Sequence, residues 1–297
     1  MEHSFKGTSL LVVLIIGMLW GMNWPAVKYM LTEIPPLTVR ALAFPLAALL
    51  LSGIARALGH SLRPAACDRV PILITGLLVV FGFNILSTFG QLHTETSKAA
   101  IIAYTMPAFT AVLAVLFLRE RLRRRNAIAL AIGMMGLAVL ASEDLHLLAA
   151  KPLGPATMLL AALSWALGNI SLKAREWSLS PLALTVWFFA VSSAFCWPLV
   201  LLFEPPWQQS WPSGPVLWTL GYHVLGPMVV CYTCWTIIVG RLSATVAAIS
   251  TLVAPVVGVS SAVILLDDPL TWQKVLALFM VVASIGLTLR PAQLSAR

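Results

Sequence analysis

The sequence predicts an all-α integral membrane protein, with ten transmembrane helices arranged as two inverted five-helix repeats. Three observations predict it. The 297 residues are 60% hydrophobic and only 10% charged, where a soluble domain carries about 25% charged residues. Apolar runs of bilayer length, about 20 residues each, follow one another with no gap that would hold a soluble domain. Finally, one pattern is written twice. Leu92 to Arg125 and Gly240 to Trp272 each open on Ser, Thr and Ala, run apolar past a proline and end charged, the first in arginine and the second in Asp267–Asp268.

Taken in order, the apolar windows fall at about 9–31, 37–59, 70–90, 96–118, 124–142, 154–174, 181–203, 214–239, 243–266 and 270–290. The first resembles a signal peptide in composition. It runs on through Trp20, Trp24 and Pro25 without an Ala-x-Ala cleavage site, so it is expected to be retained.

Orientation follows from Lys and Arg, which collect in cytoplasmic loops. With the N-terminus inside, the cytoplasm receives Arg56, Arg63, Arg69, the Arg119–Arg125 cluster, Lys173, Arg175 and Arg241, and the outer face receives few. The expectation is a multi-pass protein of the cell membrane with both termini cytoplasmic. The net charge of +8 is then a topology signal, and no nucleic-acid partner is expected. The arginine cluster is expected to act on insertion rather than on a ligand.

An odd number of spans per half explains the reversed charge. Five spans place the second half upside down, so the loop after the first copy is cytoplasmic and basic. The loop after the second faces outward and is acidic. A further pair supports the repeat: Leu19 to Lys28 aligns with Ser164 to Lys173, matching Trp20 to Trp165 and Lys28 to Lys173. Pro107 matches Pro255 at nearly the same offset. The halves are therefore drawn at 1–145 and 146–297, a period typical of secondary transporters.

Catalysis and metal binding find little support. His3, His60, His93, His146 and His223 are scattered, so no catalytic residue, metal site or cofactor is expected. Cys231 and Cys234 form a CxxC inside an apolar run, without a second ligand pair or a redox-type βαβ pattern. They read as small buried side chains. No Asp or Glu falls in the middle of a span, so a carboxylate ion relay is not visible.

The chain resembles the drug/metabolite transporter superfamily, in its EamA-type branch. The resemblance is carried by "WGMNWPAVK" in the first span and by "TSKAAIIAYTMPAFTAVLAVLFLRERL" across the fourth. It is also carried by "GRLSATVAAISTLVAPVVGVSSAVILL", with Ala244, Pro255 and Gly258. Leu118, Glu120 and Leu122 give the usual first-half exit, and Asp268 departs from it where Glu is common. The resemblance implies a small-molecule substrate, often an exported amino acid or related compound. It leaves the substrate and the oligomeric state open.

Polar residues in lipid-spanning helices face a cavity or another helix. Asn84, Ser87, Thr88 and Gln91 share one helical face in an otherwise apolar span. Trp20, Trp24 and Lys28 share a face of the first span, with Asn23 beside them, and Gly17 and Gly21 offer a close-approach face. With the choice of spans resting partly on the resemblance, the expected wall is Trp20, Asn23, Trp24, Asn84, Tyr104, Trp165, Asn169, His223 and Tyr232. Pro107 and Pro255 are expected as paired hinges or as fixed kinks. His223 is either a proton carrier or a hydrogen-bonded structural histidine.

Overall fold

The computed structural model describes residues 2–120, 124–142, 152–241 and 253–289. All the regular structure in these residues is helical. The helices are α1 (Glu2–Met30), α2 (Pro36–Ala57), α3 (Ala66–Leu92), α4 (Thr96–Leu118) and α5 (Arg124–Ser142). They continue as α6 (Leu153–Lys173), α7 (Pro181–Phe203), α8 (Gly214–Gly240), α9 (Val253–Leu266) and α10 (Trp272–Leu289). Among the described residues, α2, α3, α4, α6, α7 and α8 are long and apolar enough to cross a membrane, and α5, α9 and α10 contain shorter apolar helices. The ninth window was expected to begin near residue 243, and its first part lies outside the described residues. So do Arg121 to Arg123 of the basic cluster.

Local chemistry explains the helix starts. Proline opens α2, α7 and α8 within the first two positions, where its missing N–H costs nothing. The Ser180 hydroxyl accepts from the Ala183 amide at the head of α7. The head of α2 is capped from a distance: Glu204, just past α7, accepts from the amides of Leu37 and Thr38 at 3.0 and 2.8 Å.

The outer surface carries many large apolar side chains. Leu202 is 73% exposed and Phe203 71%, while Phe188 and Phe189 are fully buried. Burial of apolar surface away from water cannot rank these positions, because lipid contacts the exposed ones as comfortably as protein does. Packing is set instead by small residues. A Cβ on Gly21 of α1 would lie 2.5 Å from Val257 Cβ of α9, so the glycine expected to admit a neighbour does so. The main pairs are α1 on α9, α2 on α7, α5 on α10, and α3 and α4 on α6.

Three features recur in both halves of the sequence, at closely similar offsets. First, α4 and α9 both exit through a left-handed residue, Arg119 and Asp267, each with φ 54°. The following amides reach back to Ala114 O and Ala262 O. Second, α3 and α8 each contain a π segment, Leu77–Gly82 and Val224–Cys231. Third, Asp68 at the head of α3 accepts from the amide and hydroxyl of Ser178 in the α6–α7 loop. Glu33 in the α1–α2 loop does the same to Ser213 at the head of α8, at 2.6 and 2.7 Å. Glu33 and Ser178 are 145 residues apart, as are Asp68 and Ser213, with acid and serine exchanged.

The two Ser213 hydrogen bonds, the amide's first, hold the Glu33 carboxyl below the ordinary carboxylate range. A depressed pKa means that the clamp is intact at neutral pH and is lost as pH falls through the lowered value. The Ser213 amide should therefore stay protected from hydrogen exchange down to pH values where free glutamate is already protonated. Loss of protection at or above pH 5 would contradict this reading.

One expectation changes in α4. The helix is interrupted at Tyr104 and Thr105, and Pro107 sits in the first turn of the segment that restarts at Met106. The chain breaks before the proline, which there only opens a helix. It is not a kink inside a continuous one. Pro255 is buried near the described start of α9.

Candidate functional site

At the centre of the bundle lies a cavity enclosing about 690 Å³ of space free of atoms, part of it continuous with the outside. α1 contributes Trp20, Asn23, Trp24 and Val27, and α2 contributes Arg40. α3 contributes Phe83, Asn84, Ser87 and Gln91, and α4 contributes Tyr104 and Met106. α6 adds Trp165, and α8 adds Met228, Tyr232 and Trp235.

The aromatic wall is a connected cluster. Trp20 lies 5.6 Å from Trp165, 5.9 Å from Tyr232 and 5.7 Å from Trp235, centroid to centroid. Phe83 lies 4.8 Å from Trp165. Edge-on and tilted geometries of this kind favour ring pairs and leave faces available to an apolar guest.

The polar wall grows out of the π segment of α3. A π turn loosens the normal ladder and leaves carbonyls to be satisfied by side chains. Ser164 donates to Leu78 O at 2.8 Å, Tyr232 to Val79 O at 3.3 Å, and Asn84 to Val80 O at 2.8 Å. Asn84 Nδ2 also donates to the Tyr232 hydroxyl at 2.7 Å. Its amide nitrogen is thus committed, and no protein donor among the described residues meets its Oδ1. Gln91 is buried, and among the described residues its Oε1 has no hydrogen-bond partner.

Above this face is a buried chain of hydrogen bonds. Arg40 Nε donates to Thr88 Oγ1 at 2.7 Å, and Thr88 donates to Asn84 O at 2.7 Å. Arg40 also meets His223 Nε2 at 2.8 Å, and His223 Nδ1 meets Asn23 Oδ1 at 2.6 Å. Arginine can only donate, so His223 Nε2 accepts and its proton lies on Nδ1. The imidazole is neutral, and it turns the Asn23 oxygen toward itself and the Asn23 amide nitrogen away.

Seven of the residues expected to line a cavity do so: Trp20, Asn23, Trp24, Asn84, Tyr104, Trp165 and Tyr232. Asn169 and His223 do not. Asn169 Oδ1 accepts from the Trp235 indole at 2.9 Å and so holds that ring from behind. His223 is fully buried between Arg40 and Asn23. Among the lining residues that the sequence reading did not name, with Val27, Phe83 and Met228, Arg40 is the charged one. Its signal was a lone arginine one turn inside an apolar span, which marks function by default.

At the end of the bundle where α1 finishes, the helices are stitched by polar contacts. Lys28 donates to Gln91 O, and Lys274 pairs with Glu95 and donates to Pro269 O at 2.7 Å. The Ser97 amide donates to Asp268 at 2.7 Å. Val27, Arg40 and Gln91 at this end are buried, while Trp20, Phe83 and Met106 are half-buried. Among the described residues no group of three or more His, Cys, Asp or Glu could hold a metal ion.

A family model described as the EamA-like transporter family matches residues 7–142 and again 152–290. A relative named as an uncharacterized transporter, YoaV of Bacillus subtilis, is 22% identical over 93% of this chain and 94% of its own length. A probable amino-acid metabolite efflux pump of Escherichia coli is 27% identical over 92% of each chain. A solved crystal structure superposes with a TM-score of 0.74 over 95% of this chain and 97% of that one, at 19% identity, and shares the fold.

Proposed function

The chain belongs to the EamA-like transporter family, and from that premise we propose a secondary transporter that exports small amphipathic metabolites, such as amino acids or related compounds, across the cytoplasmic membrane by alternating access. The family and the transporter-named relatives point to a multi-pass membrane transporter rather than an enzyme. The observation that carries the finer reading is the central cavity. It combines an aromatic wall with amide and guanidinium groups and is lined from both ends of the chain. That mixture suits a small solute with a polar head and an apolar body better than a bare ion or a long lipid.

Alternating access needs two halves that rock against each other. We take these as 1–145 and 146–297, inverted with respect to one another. The paired left-handed exits, the paired π segments and the exchanged acid–serine clamps support this. Pairs that meet each other also support it: Trp20 touches Trp165, and Asn84 touches Tyr232, near the axis that such a repeat requires. The polar stitching at the end where α1 finishes is then an outer gate in its closed state, with the half-buried Trp20, Phe83 and Met106 toward the cytoplasm. The break before Pro107 and the matching Pro255 are the hinge candidates.

Reporter fusions after Arg125 and after Asp268 should report opposite sides of the membrane, the first cytoplasmic. Finding both on one side would end the inverted-repeat reading. The function itself is tested by purified protein in proteoliposomes loaded with a pool of labelled amino acids and related metabolites. Protein-dependent, saturable flux of at least one solute is expected. No flux of any solute in the pool would count against transport.

A further inference from the structure

A guanidinium taken out of water and left without a counter-charge is costly, so buried cations are paired or await an anion. Arg40 is 1% exposed. Its two protein partners, Thr88 and His223, are both neutral, and among the described residues no Asp or Glu makes an ion pair with it. Glu204, nearby at the head of α2, has both carboxylate oxygens engaged by the amides of Leu37 and Thr38.

The repeat shows that the fold does not need this charge. At the position 145 residues later stands Thr185, whose hydroxyl donates to Thr236 at 3.0 Å. Thr236 is 148 residues after Thr88. The same helix pair is thus bridged once by two hydroxyls and once by an arginine. What the arginine adds is positive charge on the cavity wall. Opposite in character are two acceptors on α3, Asn84 Oδ1 and the orphaned, buried Gln91 Oε1.

We propose that Arg40 is the docking cation for a carboxylate of the transported solute. The Asn23 amide assists it, Gln91 and Asn84 accept from a neighbouring ammonium, and the solute's apolar body lies against Trp20 and Trp165. The substrate class is a zwitterionic amino acid with a bulky apolar side chain. His223 is a positioning residue that presents Arg40. This rests on the cavity being the transport site.

The test uses full-length protein in nanodiscs, read by tryptophan fluorescence and by thermal unfolding. The probes are L-phenylalanine, L-phenylalaninamide, 3-phenylpropionate and 2-phenylethylamine. L-Phenylalanine should bind at least about tenfold tighter than its amide, and 3-phenylpropionate tighter than 2-phenylethylamine. Arg40→Gln should abolish both preferences. His223→Gln, which can still accept from Arg40, should keep them, and His223→Leu should lose them. Equal binding of L-phenylalanine and its amide, no saturable binding of either carboxylate, or an unchanged preference in Arg40→Gln would overturn the proposal. If Arg40→Gln does not fold, the wild-type series decides alone. Flux in proteoliposomes that ignores the carboxylate would remove the docking role and leave the transporter standing, whereas absence of all flux would remove the transporter reading itself.

Discussion

Asn84→Leu should reach the membrane and fold, yet lose solute flux by about tenfold or more. Leucine is comfortable in lipid, so insertion is not at issue. The asparagine holds Val80 O, left over from the π segment, and the Tyr232 hydroxyl, and it lines the cavity. Losing those bonds should cost about 1–3 kcal/mol of stability. A side chain that only glued helices would show that cost alone, with flux per folded molecule unchanged. Flux in proteoliposomes, normalised to the monodisperse protein recovered, separates the two. Normal flux from Asn84→Leu, Trp165→Leu and Asn169→Leu alike would put the pathway elsewhere.

Glu95→Leu should be the most destabilising single change at the stitched end. The Lys274 side chain is fully buried and has two acceptors, the Glu95 carboxylate and Pro269 O. Removing the carboxylate leaves an ammonium out of water with one carbonyl. Breaking a buried pair from one side costs about 3–5 kcal/mol. Glu95 keeps 36% of its side chain exposed, which argues for the lower end of that range. Adding Lys274→Met should recover most of the loss, because the stranded charge then disappears. Thermal unfolding of the purified single and double variants measures this. A single variant as stable as wild type would show that the pair holds nothing together.

Much of the architecture could be read from the sequence because lipid imposes simple rules. Apolar length sets the spans, and the described helix ends fall within about four residues of the windows, except that α1 begins at Glu2, seven residues before its window. The polar face of α3 was legible because Asn84, Ser87, Thr88 and Gln91 stand out against Val, Leu, Ile and Phe. Arg40 was not, because a positive charge near a span end is usually an interfacial anchor. Its place one turn inside the window at 37–59 was visible, but its partners Thr88 and His223 were not. Asn169 and His223 were expected on the wall and stand behind it, Asn169 on the Trp235 indole and His223 between Arg40 and Asn23. Facing is counted at a fixed angle per residue, and the π segment between His223 and Tyr232 resets that count. In "VLGPMVVC" Pro227 marks a break in the ladder but not its kind, since an i to i+5 ladder has no residue signature of its own. The break at Tyr104–Thr105 was hidden in the same way, with Pro107 drawing the eye two residues too far.

The π segment of α3 also makes the cavity depend on chain length. A π turn accommodates a residue that an α-helical ladder would not. Deleting one residue from 77–82 would let the helix close into a regular ladder while both flanks keep their faces, because the π turn is what absorbs the extra residue. Asn84, Ser87, Thr88 and Gln91 would keep their face, but the carbonyls of Leu78, Val79 and Val80 would find partners within the helix and release Ser164, Tyr232 and Asn84. Two chains of this family that differ there by one residue in length would present the same wall with its hydroxyl and amide groups differently committed. A one-residue insertion elsewhere in α3, with no π turn to absorb it, would instead turn everything beyond it by about 100°.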